Sequence, residues 1–288
     1  VSDVRQRSVA SRGRATARRR VARVSASIVG TLLGWEVLSR LLGASKAGVQ
    51  YIPGPDDVFR GFLAFAGYWP GGLGAEQTRT GGEKTAWGAI LGIVYNGGFS
   101  LVRVLIGFAA GVIVGIGLGL IVSWSGTARS MFLVPANFAR MMPLLAMLPL
   151  FGLWFGRREV GSYIFVAFAV AVLLFVVTIN AVEGVSRYYL DYAASLGASR
   201  FRIYRSVVIP ATLPELKAGL LLSAPFAWSA VIAVEIIGKE YGLGRVLNFA
   251  LMYAATDIVA ASGLVVVVLA VSSFFLMKRW LDRATRWA

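Results

Sequence analysis

The chain has 288 residues, of which 57% are hydrophobic and 15% charged, and its formal net charge is +15. With a mean hydropathy of +0.71, this is the composition of a polytopic membrane protein and excludes a soluble globule. Cysteine and histidine are both absent, which removes thiol nucleophiles, disulfides, imidazole bases and the usual transition-metal sites together.

Residues 1–25 carry Arg5, Arg7, Arg12, Arg14, Arg18, Arg19, Arg20 and Arg23 against one acid, Asp3. A juxtamembrane arginine arm sets topology and is drawn to anionic lipid headgroups by about 1 kcal/mol per residue near the surface. It is read as a basic cytoplasmic arm, disordered by composition, with membrane lipids and not nucleic acid as its partner. Residues 26–43 follow as a first transmembrane helix. Glu36 and Arg40 interrupt its apolar run and no small-residue cleavage site follows, so an uncleaved span is expected instead of a signal peptide.

Residues 44–98 form an extracytoplasmic segment. Ile52-Pro53-Gly54-Pro55-Asp56-Asp57 reads as a turn, and the helical spacing of apolar residues from Val58 to Tyr68 predicts a helix lying on the membrane face. Pro70-Gly71-Gly72-Leu73-Gly74 and Thr80-Gly81-Gly82 read as loop, before a second amphipathic stretch over 87–95.

Apolar runs of roughly 20 residues, enough for about 30 Å of hydrocarbon, recur near 26–42, 101–124, 131–155, 161–182, 213–237 and 258–277. The fold class is therefore an all-α polytopic membrane protein with about six transmembrane helices and both termini cytoplasmic. Residues 99–282 form its core domain, with a polar cytoplasmic loop at 187–210 and a cytoplasmic tail at 283–288. Arg187, Arg200, Arg202 and Arg205 in that loop, and Lys278, Arg279, Arg283 and Arg286 after the last run, fall on the same side as the basic arm.

In the second run Gly107, Gly111, Gly115 and Gly119 recur every four residues, a face that permits close approach by a neighbouring helix. The third contains Pro135, Pro143 and Pro149, which bend or break a helix. Irregular backbone at membrane depth survives only where protein buries it or water lines it. Asn137, Arg140, Met141, Met142 and Met147 are therefore candidates to line a translocation route. Arg140 costs roughly 2.5–3.5 kcal/mol in hydrocarbon unless paired, so a carboxylate, carbonyl or water partner is expected. Ser223, Trp228, Ser229 and Glu235 on the fifth run are further pathway candidates. Glu235 stands next to Lys239 and Glu240, at the expected outer surface where charges are commonly interfacial.

The polar loop supplies a motif. Asp191-Tyr192-Ala193, three residues, Gly197, nine residues and then Val207-x-Ile209-Pro210 resembles the EAA loop of the inner-membrane permeases of binding-protein-dependent ABC importers. The family pattern there is E-A-A, three residues, G, nine residues, I-x-L-P. Ile52-Pro53-Gly54-Pro55, Arg140 to Phe155 (RMMPLLAMLPLFGLWF) and Val234 to Leu243 are similar to segments of the nitrate, sulfonate and taurine branch. The departures are Asp191 for Glu, Tyr192 for Ala, Met141 and Leu144 for prolines, and a longer loop over 66–87.

The resemblance implies a type I ABC importer permease in the bacterial inner membrane. It works as a homodimer, or with a closely related second permease, beside two cytoplasmic ATP-binding subunits and an extracytoplasmic solute-binding protein. A coupling helix over 192–204 would dock on the ATPase through Asp191, Ala193, Ala194, Gly197, Ala198, Arg200 and Phe201, with Pro210 closing the motif and Leu196 and Ile203 as apolar anchors. The implied cargo is a small solute such as a sulfonate, taurine, nitrate or similar anion, moved by alternating access.

No catalytic or metal-binding residue is expected, and no cofactor in this chain. It has no G-x-x-x-x-G-K-[ST] phosphate loop, because Gly238-Lys239 is followed by Glu240. ATP and Mg would bind the partner ATPase. A membrane-embedded enzyme is disfavoured by the lack of histidine and the scattered acids. A passive channel or scaffold without an ATPase is the alternative reading.

Overall fold

The computed structural model describes residues 25–27, 29–43, 52–68 and 85–285. The arginine arm, the glycine-rich loop at 70–74 and 80–82, and Arg286 lie outside the described residues. Among those described there is no strand.

Helix α1 covers residues 29–42. Its Trp35 indole donates to the Pro53 carbonyl at 2.9 Å and its Ser39 hydroxyl to the Ile52 carbonyl at 2.8 Å, so the Pro-Gly-Pro turn is held against it. Helix α2 (Pro55–Ala64) starts with proline at its first position and Asp56 and Asp57 in its first turn, which suits the unpaired amides and positive end of the dipole there. A 3-10 turn, Phe65–Tyr68, ends it.

Helix α3 (Ala86–Ser123) runs unbroken for 38 residues. The amphipathic stretch at 87–95 is thus its opening turns and not a separate element, because Gly88 and Gly92 keep helical geometry and no proline stands there. Helices α4 (Gly126–Met141) and α5 (Leu144–Phe155) follow, bent by 96° at their junction. Of the three prolines only Pro143 breaks the chain, since Pro135 and Pro149 lie inside helices. Helices α6 (Glu159–Glu183), α7 (Arg187–Ser195) and α8 (Arg200–Ile203) come next. A π turn, Tyr204–Val208, joins α8 to α9 (Ile209–Ile236). Helices α10 (Leu243–Met252) and α11 (Thr256–Ala284) complete the bundle.

Among the described residues, four helical stretches are long and apolar enough to cross a membrane: α3, Arg200–Ile236, α6 and α11. The bent α4–α5 pair makes a fifth if it counts as one span. The sequence anticipates six. The difference lies in the first run, only part of which is described, and in Pro143, which divides the third.

Helix α6 is the centre of the bundle, with Phe165, Val166, Val170 and Leu174 all fully buried. Its intimacy with α3 comes from the glycine stripe. A Cβ added at Gly107 would stand 2.5 Å from Val166 Cβ, one at Gly111 2.7 Å from the Ala167 carbonyl oxygen, one at Gly115 2.6 Å from the Ala171 carbonyl oxygen, and one at Gly119 2.6 Å from Thr178 Cβ. The backbones therefore touch where any side chain would hold them apart.

Candidate coupling and translocation sites

The polar loop folds as two short helices, not the single one expected over 192–204. Gly197 separates them at φ +76°, a left-handed conformation that L side chains avoid. Ser199 then starts α8 by accepting from the Arg202 amide. The segment is braced from behind by α3. Trp124 meets the Tyr204 ring edge-on at 5.0 Å and the Phe201 ring at 6.2 Å. Tyr204 donates to the Leu120 carbonyl at 2.6 Å. Arg200 donates to the Trp124 carbonyl at 3.0 Å and lies over its indole at 5.2 Å, so this arginine is engaged within the chain.

Asp191, Ala194, Ala198 and Ile203 line the cleft between the segment and the ends of α3 and α4, with Ala193 half-buried nearby. Pro210 sits half-buried in the first turn of α9. Tyr188, Tyr192, Leu196 and Phe201 instead stand exposed on the outer side.

The middle of the bundle holds a cavity of about 330 Å³, lined by Arg140, Met142 and Met147 with Phe168, Leu173 and Phe226. Asn137 and Met141 do not reach it; the Asn137 amide donates to the Leu133 carbonyl at 3.0 Å and Met141 is exposed. Helix α4 buries none of its residues. Arg140 is accordingly exposed and has no hydrogen-bond or ion-pair partner among the described residues, which leaves its charge to water or to a molecule outside this chain.

Of the fifth-run candidates, Ser223, Trp228 and Glu235 turn inward. Ser223 is fully buried and donates to the Leu220 carbonyl at 2.8 Å. Trp228 is buried and donates to the Ser273 hydroxyl at 2.9 Å. Ser229 is exposed and returns its hydroxyl to the Pro225 carbonyl. Glu235, read from sequence as interfacial, is 1% exposed, because an arginine on α3 reaches it.

That arginine, Arg103, organises the end of the bundle opposite the 187–208 segment. Its Nη1 donates to Glu235 Oε1 at 2.8 Å, and its Nε and Nη2 grip Glu159 in a two-bond fork, each at 2.7 Å. Nη1 also donates to the Tyr241 carbonyl at 2.6 Å. The second Glu235 oxygen accepts from the Ser100 hydroxyl at 2.9 Å and the Gly244 amide at 2.8 Å. Asn96 and Ser100 in turn accept the Gly242 and Leu243 amides. A Cβ at Gly242 would lie 2.5 Å from the Glu235 carboxyl carbon, and one at Gly244 2.6 Å from Glu235 Cβ, so both glycines make room for the carboxylate. The knot joins α3, α6, α9 and α10.

Beside it, Lys239 donates to the Arg157 and Arg158 carbonyls at 2.9 and 2.6 Å. Burial pushes its ammonium below the usual lysine range, and the Glu159 carboxylate opposes that shift. Sequence reasoning did not single out Arg103, Glu159, Asn96 or Ser100. The signal was present: Asn96, Ser100 and Arg103 continue the glycine stripe toward the start of α3, and an arginine inside an apolar helix marks a constructed site.

An apolar bundle with four helical stretches long enough to cross a membrane, a buried ionic knot at one end and a braced polar segment at the other, is the architecture of a multi-pass membrane protein. The chain belongs to the family of binding-protein-dependent transport system inner membrane components, whose model matches residues 85–287. It is 32% identical over 177 residues to the taurine transport system permease protein TauC of Escherichia coli strain K12; the match spans 62% of this chain and 63% of that one. It is 30% identical over 220 residues to the bicarbonate transport system permease protein CmpB of Synechococcus elongatus, spanning 74% of this chain and 70% of that one. Among solved structures it shares its fold with a chain of the MetNI methionine ABC transporter in an inward-facing conformation. That likeness has a TM-score of 0.50 at 18% identity and covers 66% of this chain and 93% of the other.

Proposed function

We propose that the chain is the permease subunit of an ATP-driven importer for a small anion, coupled to a separate ATPase and supplied by an external binding protein. A second copy, or a close relative, completes the pathway. Two ATP-binding subunits dock on the cytoplasmic loop at 187–210 and hold ATP and Mg. Residues 99–282 act as the transport core, 26–43 as an accessory first span and 44–98 as an extracytoplasmic segment. The named relatives carry taurine and bicarbonate, both bearing an anionic group, which supports a small anion as cargo.

The observation that carries this reading is the form of the 187–208 segment. Tyr192, Leu196 and Phe201 are 59%, 70% and 64% exposed, on a segment that Trp124 and Tyr204 fix firmly to α3. Apolar side chains held outward on a rigid base are what a docking partner needs, because little order is lost on binding. Closure of the ATPase on nucleotide shifts the balance between two packings of the bundle, to the extent that each state binds it differently.

The test is co-purification of the chain with an ATP-binding subunit of an importer from the same organism, followed by ATP turnover in lipid nanodiscs. Wild type is expected to assemble and turn over ATP. Leu196→Asp, at a side chain that is 70% exposed, is expected to lose assembly at unchanged thermal stability. Failure of any ATPase to associate would leave the channel or scaffold reading in its place.

A further inference from the structure

The ionic knot uses Arg103 against two carboxylates and leaves other cations over. Arg157 and Arg158, in the turn between α5 and α6, are exposed and have no ion-pair partner among the described residues. Lys239 is 8% exposed and commits two of its three ammonium protons to the carbonyls of that turn. Arg103, Arg157, Arg158 and Lys239 outnumber Glu159, Glu235 and Glu240 here, so this corner carries net positive charge.

Within the same corner is a cavity of about 260 Å³, walled by Leu148, Phe151 and Val234 and edged by Arg157, Lys239 and Ser162. The hydroxyl of Ser162 is fully buried and has no hydrogen-bond partner. A buried hydroxyl without a partner costs on the order of 1–3 kcal/mol, which a ligand acceptor would recover. Gly238, at φ +146°, lets the Arg157 guanidinium lie close on the backbone at the cavity edge: a Cβ there would stand 3.2 Å from Arg157 Nε.

We propose that this cavity is a binding site for a small oxyanion bearing a short apolar body, separate from the Arg140 cavity and at the end of the bundle away from the coupling segment. The oxyanion accepts from the Ser162 hydroxyl and the Arg157 guanidinium and lies against the remaining Lys239 proton. The apolar body rests on Phe151 and Leu148. The small cavity volume favours a ligand of a few heavy atoms, and the charge excess draws anions toward it. Resting on the reading of the chain as an anion permease, the site serves as an entry station, occupied before cargo reaches the middle of the bundle.

The test is a titration of sodium methanesulfonate, at constant ionic strength, into the permease–ATPase complex in phosphatidylcholine nanodiscs, following the midpoint of thermal unfolding. A saturable rise is expected, with the apparent Kd raised at least tenfold by Arg157→Gln and severalfold by Ser162→Ala. Absence of a saturable rise, or a Kd unchanged in both variants, overturns the proposal. Loss of the rise in Arg140→Gln alone also overturns it, by placing the anion in the other cavity. Should the ATPase not associate, the same titration on the permease alone decides the anion site, so the two readings fail separately.

Discussion

Arg103 and Glu235 stand 132 residues apart in sequence and meet at 2.8 Å, each only 1% exposed. A pair so far from water holds because all three guanidinium nitrogens and both Glu235 oxygens are hydrogen-bonded, through Glu159, Tyr241, Ser100 and Gly244. Removing one partner strands the others. Glu235→Ala is expected to cost about 3–5 kcal/mol, read as a lowered unfolding midpoint in detergent. The double variant Arg103→Met with Glu235→Leu should lose less than the two single changes summed, as interacting sites do.

The α3–α6 contact makes a paired prediction. Gly115 faces the Ala171 backbone, whereas Gly117 has nothing within 4 Å. Gly115→Val should destabilise the bundle by about 1–3 kcal/mol through overpacking, and Gly117→Val should leave it unchanged. Unfolding midpoints and membrane yield of the two variants, measured side by side, check this.

At Gly197 the constraint is conformational and not steric, since φ is +76° and no atom lies near a notional Cβ. Gly197→Ala is expected to cost about 1–2 kcal/mol of local stability, and Gly197→Asn less, because asparagine tolerates the left-handed region. Limited proteolysis across 195–200 should speed up in the alanine variant and less so in the asparagine variant.

Arg140 lies on a helix with no buried residue. Arg140→Gln is therefore expected to shift stability by less than about 0.5 kcal/mol while lowering solute uptake into proteoliposomes severalfold. A fall in unfolding midpoint as large as the fall in uptake would assign this residue to folding instead.

Long apolar runs announce the helices, since nothing but a crossing or a buried core needs them. The four-residue period of Gly107, Gly111, Gly115 and Gly119 is visible in the sequence, but the identity of the facing helix is not. Orientation within the runs is harder. Ser223, Trp228 and Glu235 sit on α9, where lipid-facing and core-facing positions are both apolar, so periodicity gives no inside and outside. The partners of Trp228 and Glu235, Ser273 and Arg103, arrive from other helices. Gly197 and Ser199 carry the split of the 187–208 segment, a signal that the single-helix expectation over 192–204 did not use. The bracing by Trp124 had no such signal, because it joins residues 76 or more apart along the chain.

Helix α3 carries the ionic knot at Arg103 and Ser100 and the aromatic brace at Leu120 and Trp124. The 17 to 24 residues between these points span about 25–36 Å at 1.5 Å per residue, roughly the thickness of the hydrocarbon. No proline interrupts this stretch, and its Gly107, Gly111, Gly115 and Gly119 are clamped on α6. It works as a stiff rod pinned at both ends. A tilt imposed at its Trp124 end would reach the Arg103 end as a tilt and would not be absorbed on the way, so the two ends would move together.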